Sequence, residues 1–206
     1  GATVLMSRVK EEGVDVVVED SSGNAGCAIG AYAAAAGVEC RLFVPAHASG
    51  AKLAQIRAYG AALTLVEGPR ENAALAAQDA ARDKYYASHA ANPFFLQGTK
   101  TFAYEVCEQL GWQAPEAVVL PAGNGTLLLG AYLGFTDLLR AGVIFRMPKL
   151  IAAQAASCAP LYDAFWRGVD TVAPRIWEKT AAEGIAVANP VRGAQILGAV
   201  RESGGE

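Results

Sequence analysis

VVVEDSSGNAGCAIGAY, Val16 to Tyr32, passes from a buried strand through a polar turn into a helix. Val14, Val16, Val17 and Val18 are β-branched and apolar, which reads as a short buried strand. Glu19-Asp20 ends that run, and Ser21-Ser22-Gly23-Asn24 makes a tight polar turn. From Ala25 small and apolar residues continue to Ala36, interrupted only by Gly26 and Gly30. The first N–H groups of such a helix have no partner within it, and with Ser21, Ser22 and Asn24 beside them they suit an anion. The same residue types also serve an ordinary N-cap, so this stretch alone leaves both roles open.

A second stretch has the same grammar. Ala117–Leu120 (AVVL) reads as another buried strand, Pro121-Ala122-Gly123-Asn124-Gly125-Thr126 as a loop, and LLLGAYLGFTDLLRAG as a helix. Two glycines in three positions let backbone approach a ligand and turn N–H groups inward. Thr126 can cap the helix and give its hydroxyl to the same anion. No Lys-Ser/Thr pair follows, so this is not a Walker-type loop, and the dinucleotide spacing GxGxxG is absent as well. A small phosphate carrying an organic ring fits better than a dinucleotide.

Around these two stretches, short apolar strands alternate with helices: Arg41–Val44, Leu63–Val66, Tyr85–Ser88 and Leu150–Gln154 among the strands, and Ala51–Tyr59, Arg70 to about Asp83, Thr99–Leu110 and Ala159–Arg167 among the helices. Gly68-Pro69 puts proline at a first helical position, and Asn92-Pro93 reads as a breaker. Asp170–Ile185 shows no clear period, and Pro190–Val200 reads as a helix. The alternation predicts an α/β fold with parallel, doubly wound sheets. Ligands of such sheets bind beyond the strand C-termini, which is where both loops fall.

Composition narrows the function classes. With 53% hydrophobic and 18% charged residues, disorder is excluded. A net charge of −3 and no basic run leave nothing to recruit nucleic acid. The apolar segments are too short and too rich in Ala and Gly to span a bilayer, so no membrane partner is expected. Gly1 begins directly on a helix-like segment, and no secretory leader is expected. Cys27, Cys40, Cys107 and Cys158 are isolated, without CxxC spacing and with neither His47 nor His89 near them in sequence. They read as buried thiols in a reducing, cytoplasmic setting, with no metal site.

SSGNAG after one strand and PAGNGT after a later one resemble the two cofactor loops of the fold-type II pyridoxal-phosphate enzymes. VPAHASGAKLAQIRAYGA, QGTKTFAYEVCEQLGW and AEGIAVANPVRGAQIL resemble further segments of that family in the same order. The nearest resemblance is to the threonine synthase-like members, then threonine or serine dehydratases, then cysteine synthases. The resemblance implies two α/β subdomains with the cofactor cleft between them. Residues 24–86 would form the smaller, mobile one, and 1–23 with 87–206 an incomplete larger one.

It also implies pyridoxal 5′-phosphate as cofactor, with phosphate or sulfate able to occupy the same Gly123–Thr126 loop, a small amino-acid substrate, and a homo-oligomer. By the same resemblance Asn24 meets the phenolic oxygen of the pyridoxal ring, and Gly123, Asn124, Gly125 and Thr126 hold its phosphate. Gly184 passes beside the ring, and Ser21, Ser22, Gly23 and Ala25 cradle the substrate carboxylate. Glu183 reads as a solvated helix-end charge, and Lys100 as a salt-bridging lysine. The family's Schiff-base lysine sits in a segment like SFKDRGA, whose end resembles Gly1-Ala2-Thr3, so it is expected just upstream of Gly1. No catalytic residue is expected within the chain, and a central fragment of a lyase or synthase, truncated at both ends, is the implied identity. A catalytically silent phosphate-binding or assembly module is the alternative of another class.

Overall fold

The computed structural model describes residues 1–21, 23–48, 50–68, 70–174 and 179–206. Ser22 and Pro69, two residues with expected roles, lie outside them. The chain forms two compact units, Gly1–Gly98 and Thr99–Glu206.

The first unit is built on four parallel strands: β1 (Val16–Glu19), β2 (Glu39–Pro45), β3 (Ala62–Val66) and β4 (Tyr85–Tyr86), in the order β3-β2-β1-β4. Val17 pairs with Cys40 of β2 on one side and with Tyr85 of β4 on the other. Helices α1 (Ala2–Glu11), α2 (Asn24–Ala36), α3 (Gly50–Ala58) and α4 (Arg70–Ala80) cover the sheet. From β1 the chain winds outward to β2 and β3, then crosses back to place β4 on the opposite side of β1. The topological switch point therefore lies between β1 and β4, and the crevice it opens sits at their C-terminal ends. Being central, β1 is buried on both faces, which is why its valines run consecutively instead of alternating. Leu5, Val9, Val17, Ile29, Leu42 and Ile56 form the heart of the core.

Asn92-Pro93 opens a helix instead of breaking one. The chain enters α5 (Pro93–Thr99) with the Asn92 side-chain oxygen accepting the Phe94 N–H at 3.0 Å. Proline tolerates a first helical position because its missing N–H would be unpaired there anyway.

The second unit holds α6 (Thr101–Gln109), β5 (Ala117–Pro121), α7 (Thr126–Arg140), β6 (Lys149–Ala153), α8 (Pro160–Trp166) and α9 (Gly193–Glu202). β5 and β6 are parallel, with Val119 opposite Ile151. Gly130 and Gly134, one turn apart on α7, let it lie against α6. A Cβ at Gly134 would come within 2.6 Å of the Lys100 carbonyl, and one at Gly130 would overlap the Thr99 side chain. A short 3₁₀ turn, Glu183–Ile185, falls within the segment whose period was unclear. Trp112 and Trp166 are half exposed or more. All four cysteines are buried free thiols. Among the described residues no helix is long and apolar enough to cross a membrane.

Candidate functional site

After β1 the chain turns sharply into α2. Ser21 is buried, and its Oγ accepts the Gly23 N–H at 3.2 Å. Gly23, extended at φ −107° and ψ −152°, is the N-cap, with no side-chain cap bond. Asn24 is thus the first helical residue and not the cap. It is exposed and has no hydrogen-bond partner among the described residues, so its amide is free for a ligand. The first ladder bond of the helix runs from Cys27 N–H to Gly23 carbonyl, 3.1 Å. The N–H groups of Asn24, Ala25 and Gly26 precede it and stay open. Only glycine fits at position 26, because any Cβ there would overlap the Ser21 carbonyl. That close approach presses the helix start onto the end of the strand.

The loop after β5 is constructed alike. Ala122 N–H donates to the Ala153 carbonyl at 2.9 Å, anchoring the loop to β6. Gly125 is the N-cap of α7 at φ +69°, a left-handed conformation that suits glycine, and again no side chain caps the helix. Thr126 is therefore the first helical residue, and its hydroxyl is not used as a cap. Leu129 N–H makes the first ladder bond, to the Gly125 carbonyl at 2.9 Å. The N–H groups of Thr126, Leu127 and Leu128 are left open in front of a 15-residue helix, whose start carries the positive end of its dipole.

Neighbouring segments set the shape of this loop. A Cβ at Gly123 would lie 3.0 Å from Val187 and 3.1 Å from the Ile185 Cα, with the Gly184 carbonyl at 3.4 Å. The expected AEGIAV segment is therefore beside the glycine loop, and Gly184 itself is exposed. Thr99, from QGTKT, donates its hydroxyl to the Thr126 carbonyl at 3.1 Å. Lys100 is salt-bridged to Asp137 at 2.7 Å, as its sequence reading has it. Tyr104 donates to the same carboxylate at 2.8 Å. Lys100 holds the Asp137 carboxyl below the usual range, while burial and Asp137 push the Tyr104 hydroxyl up to about 12.

Two groups escaped the sequence reading. Gln154, after β6, donates to the Ala122 carbonyl at 3.0 Å and accepts the Leu161 and Tyr162 N–H groups at 2.9 and 3.2 Å. One amide thereby ties the base of the glycine loop to the start of α8. The second is a polar cluster at the ends of β1 and β4. Glu19 is fully buried and takes the His89 backbone N–H at 3.1 Å and the His89 Nδ1 at 2.6 Å. Asp20 takes the Tyr86 hydroxyl at 2.9 Å and Arg70 at 3.4 Å. Burial pushes the Glu19 carboxyl up against the pull of His89. For His89 burial works downward, but the hydrogen bond and charge of Glu19 outweigh it and its pKa is raised. The signal in sequence was a pair of acids placed directly on the end of a buried strand. They read there only as the end of an apolar run.

What the arrangement can do chemically is bind anions. In each unit one strand, β1 or β5, delivers the chain to a helix whose glycine cap leaves three N–H groups unclaimed, and the α2 start carries a free carboxamide beside it. A phosphate on the Gly123–Thr126 loop needs the close backbone approach those glycines allow, and the loop's N–H groups and Thr126 hydroxyl are free for it. The residues of this loop therefore fit the phosphate of a phosphorylated cofactor.

Comparison with known proteins agrees. The family model described as "Pyridoxal-phosphate dependent enzyme" matches residues 1–206. Threonine synthase from Methanocaldococcus jannaschii is 35% identical over 207 residues, covering 100% of this chain and 51% of the relative. Threonine synthase from Methanosarcina acetivorans is 32% identical with the same coverages. The chain thus spans about half the length of the curated relatives it matches. Among solved structures, the processed form of threonine deaminase isoform 2 from Solanum lycopersicum superposes with a TM-score of 0.78 at 21% identity. That match covers 95% of this chain and 56% of the other. Maize serine racemase superposes with 0.79 at 18%, covering 95% and 57%. At those identities the superpositions establish the shared fold, and the family model with the sequence relatives establishes the lineage: the chain belongs to the pyridoxal-phosphate dependent enzymes.

Proposed function

We propose that this chain is the cofactor- and substrate-binding part of a pyridoxal-phosphate-dependent lyase or synthase, threonine synthase-like, acting on a small hydroxy amino acid or its phosphate ester. The observation that carries the reading is the pair of glycine-capped helix starts, after β1 and β5, that leave their N–H groups open. When bound, pyridoxal phosphate supplies an electron sink conjugated to the substrate Cα. Gly123, Asn124, Gly125 and Thr126 hold the phosphate by backbone N–H groups and one hydroxyl. Asn24 gives its free carboxamide to the ring's phenolic oxygen. Ser21, Ser22, Gly23 and Ala25 receive the substrate carboxylate at the α2 start, where the helix dipole favours negative charge. Gly184, lacking a side chain, leaves room beside the ring.

Threonine synthase is favoured over threonine or serine dehydratase because the relatives with 35% and 32% identity carry that name. The smaller mobile subdomain over 24–86 belongs to the proposal. Since β1 is hydrogen-bonded to both β2 and β4, such a body would carry β1 with it. A cytoplasmic setting is supported by four buried free thiols, and homo-oligomerisation by apolar residues left exposed on strands, Val119 at 64% and Leu65 at 49%.

The test uses equilibrium dialysis of pyridoxal phosphate with the chain and its Asn24→Ala variant. Saturable binding weakened in the variant is expected, and absence of saturable binding to the parent would refute the reading. Substrate class is tested by adding the family's lysine segment ahead of Gly1 and assaying O-phosphohomoserine, threonine and serine in parallel. Preference for O-phosphohomoserine is expected, and preference for threonine or serine would point to a dehydratase.

A further inference from the structure

A carboxylate with no solvent exposure on the central strand of a sheet is costly. Removing a charge from water takes several kcal/mol, and an apolar residue of similar size packs there without that penalty. Glu19 nevertheless stands at the end of β1, following Val17 and Val18, which are equally buried. Both of its oxygens go to one residue 70 positions later: Oε2 to the backbone N–H of His89 and Oε1 to its imidazole. His89 lies in the loop after β4, and β4 is the strand across the topological switch point from β1. The bond therefore spans the floor of the crevice in which open parallel sheets bind ligands.

We propose that Glu19 and His89 are a positioning pair for the Ser21–Asn24 turn, tying the lip of the crevice after β1 to the lip after β4 and so fixing where α2 begins. Glu19 is two residues from Ser21, whose Oγ holds the Gly23 N–H and whose carbonyl is pressed against Gly26. A displacement of the strand end is thus transmitted directly to the helix cap. Asp20 adds a second tie beside the first, to Tyr86 of β4 and to Arg70 at the start of α4.

One member of the pair is an imidazole, so the tie is sensitive to pH. The groups that face it are Glu19 on its own side of the crevice, Asp20 with its partners Tyr86 and Arg70, and the Cys40 thiol on β2. The Phe95 ring lies against the imidazole in a T-shaped arrangement, ring centres 6.2 Å apart. With His89 protonated, two carboxylates meet two cations. With His89 neutral, Glu19 keeps its hydrogen bonds but loses its counter-charge, and the turn is held less firmly. The pair acts on ligands only through the turn. Its relevance to the substrate carboxylate rests on the proposed function, whereas the coupling of His89 to the turn does not.

The experiment is a pH titration of the 206-residue chain by NMR, following the ring signals of His89 and the amides of Gly23, Asn24 and Ala25. The chain has two histidines, and the exposed His47 supplies the second ring signal. The expected result is a His89 midpoint above the ordinary histidine value, with the three turn amides shifting at that same midpoint. In Glu19→Gln the midpoint falls and the amide shifts at that midpoint vanish. Should Glu19→Gln not fold, His89→Gln keeps the backbone bond to Glu19 and an amide donor. There the turn amides should match the high-pH form of the parent at every pH. Turn amides that stay flat across the His89 titration of the parent, or that still titrate in His89→Gln, would overturn the pair as a positioning device. Failure of pyridoxal phosphate to bind, with the coupling intact, would instead remove only the proposed function.

Discussion

The two helix starts share a plan and differ in what holds them. After β1, the turn into α2 rests on polar groups: the Ser21 hydroxyl, and beneath it Glu19 with His89 and Asp20 with Tyr86. After β5, the turn into α7 rests on close apolar and backbone contact. Ile196 presses on Gly125, and Ile185 and Val187 on Gly123, with the Gln154 amide as the principal polar tie. The first frame contains titratable groups, and the second is held by packing that does not titrate. The difference predicts that substitutions and pH will separate the two loops.

The largest effect belongs to the packed frame. In Gly125→Val a β-branched residue is forced to φ +69°, and its Cβ overlaps Ile196. Left-handed strain and overpacking together should cost about 4 kcal/mol of stability, read as a lowered urea midpoint. A variant as stable as the parent would show that the α7 start is not packed as described.

Next is Glu19→Ala, which leaves a buried imidazole and an amide N–H without their acceptor. It should cost about 3 kcal/mol by the same unfolding measurement. A change within error of zero would mean the polar frame carries no weight.

The pH dependence follows with a definite sign. His89 has a raised pKa in the folded chain, so its contribution is full below the ordinary value of about 6.5 and is lost as pH rises through the raised value. Glu19 is also raised, so it too favours folding on the acid side. Stability should therefore fall as pH rises above about 6.5, and His89→Gln should flatten the slope. Unfolding midpoints across that range decide it, and an upward slope would contradict the pair's assignment.

The smallest effect is on ligand grip. Thr126→Val keeps the shape but removes a hydroxyl that the structure leaves uncommitted as a cap. Phosphate affinity should fall about fivefold, the worth of one hydrogen bond, with no change in the urea midpoint. Equal affinity would leave the backbone as the sole anchor.

Much of this was legible in the sequence. Strand, glycine-bearing turn and helix could be read at both loops because Val-rich runs, Gly-Asn pairs and alanine-rich helices are local signals. Residues brought together over long separations were not legible. Nothing local tells that Glu19 meets His89, or that Ile196 forbids a side chain at Gly125. The Asn92-Pro93 pair misled for a related reason: the dipeptide serves turn and helix start alike, and only the Asn92 bond to Phe94 decides between them. Asn24 and Thr126 were each placed one position early as caps because glycine took the cap position at both starts.

The central claim is that open N–H groups at the two helix starts bind anions, and it is tested most directly by titrating the ¹⁵N-labelled chain with pyridoxal phosphate while following backbone amides. The account predicts saturable shifts at Gly123 to Leu128, reproduced by inorganic phosphate, with shifts at Asn24 and Ala25 only for the ring-bearing ligand. Amides at both helix starts that stay still while pyridoxal phosphate shifts residues elsewhere would contradict it.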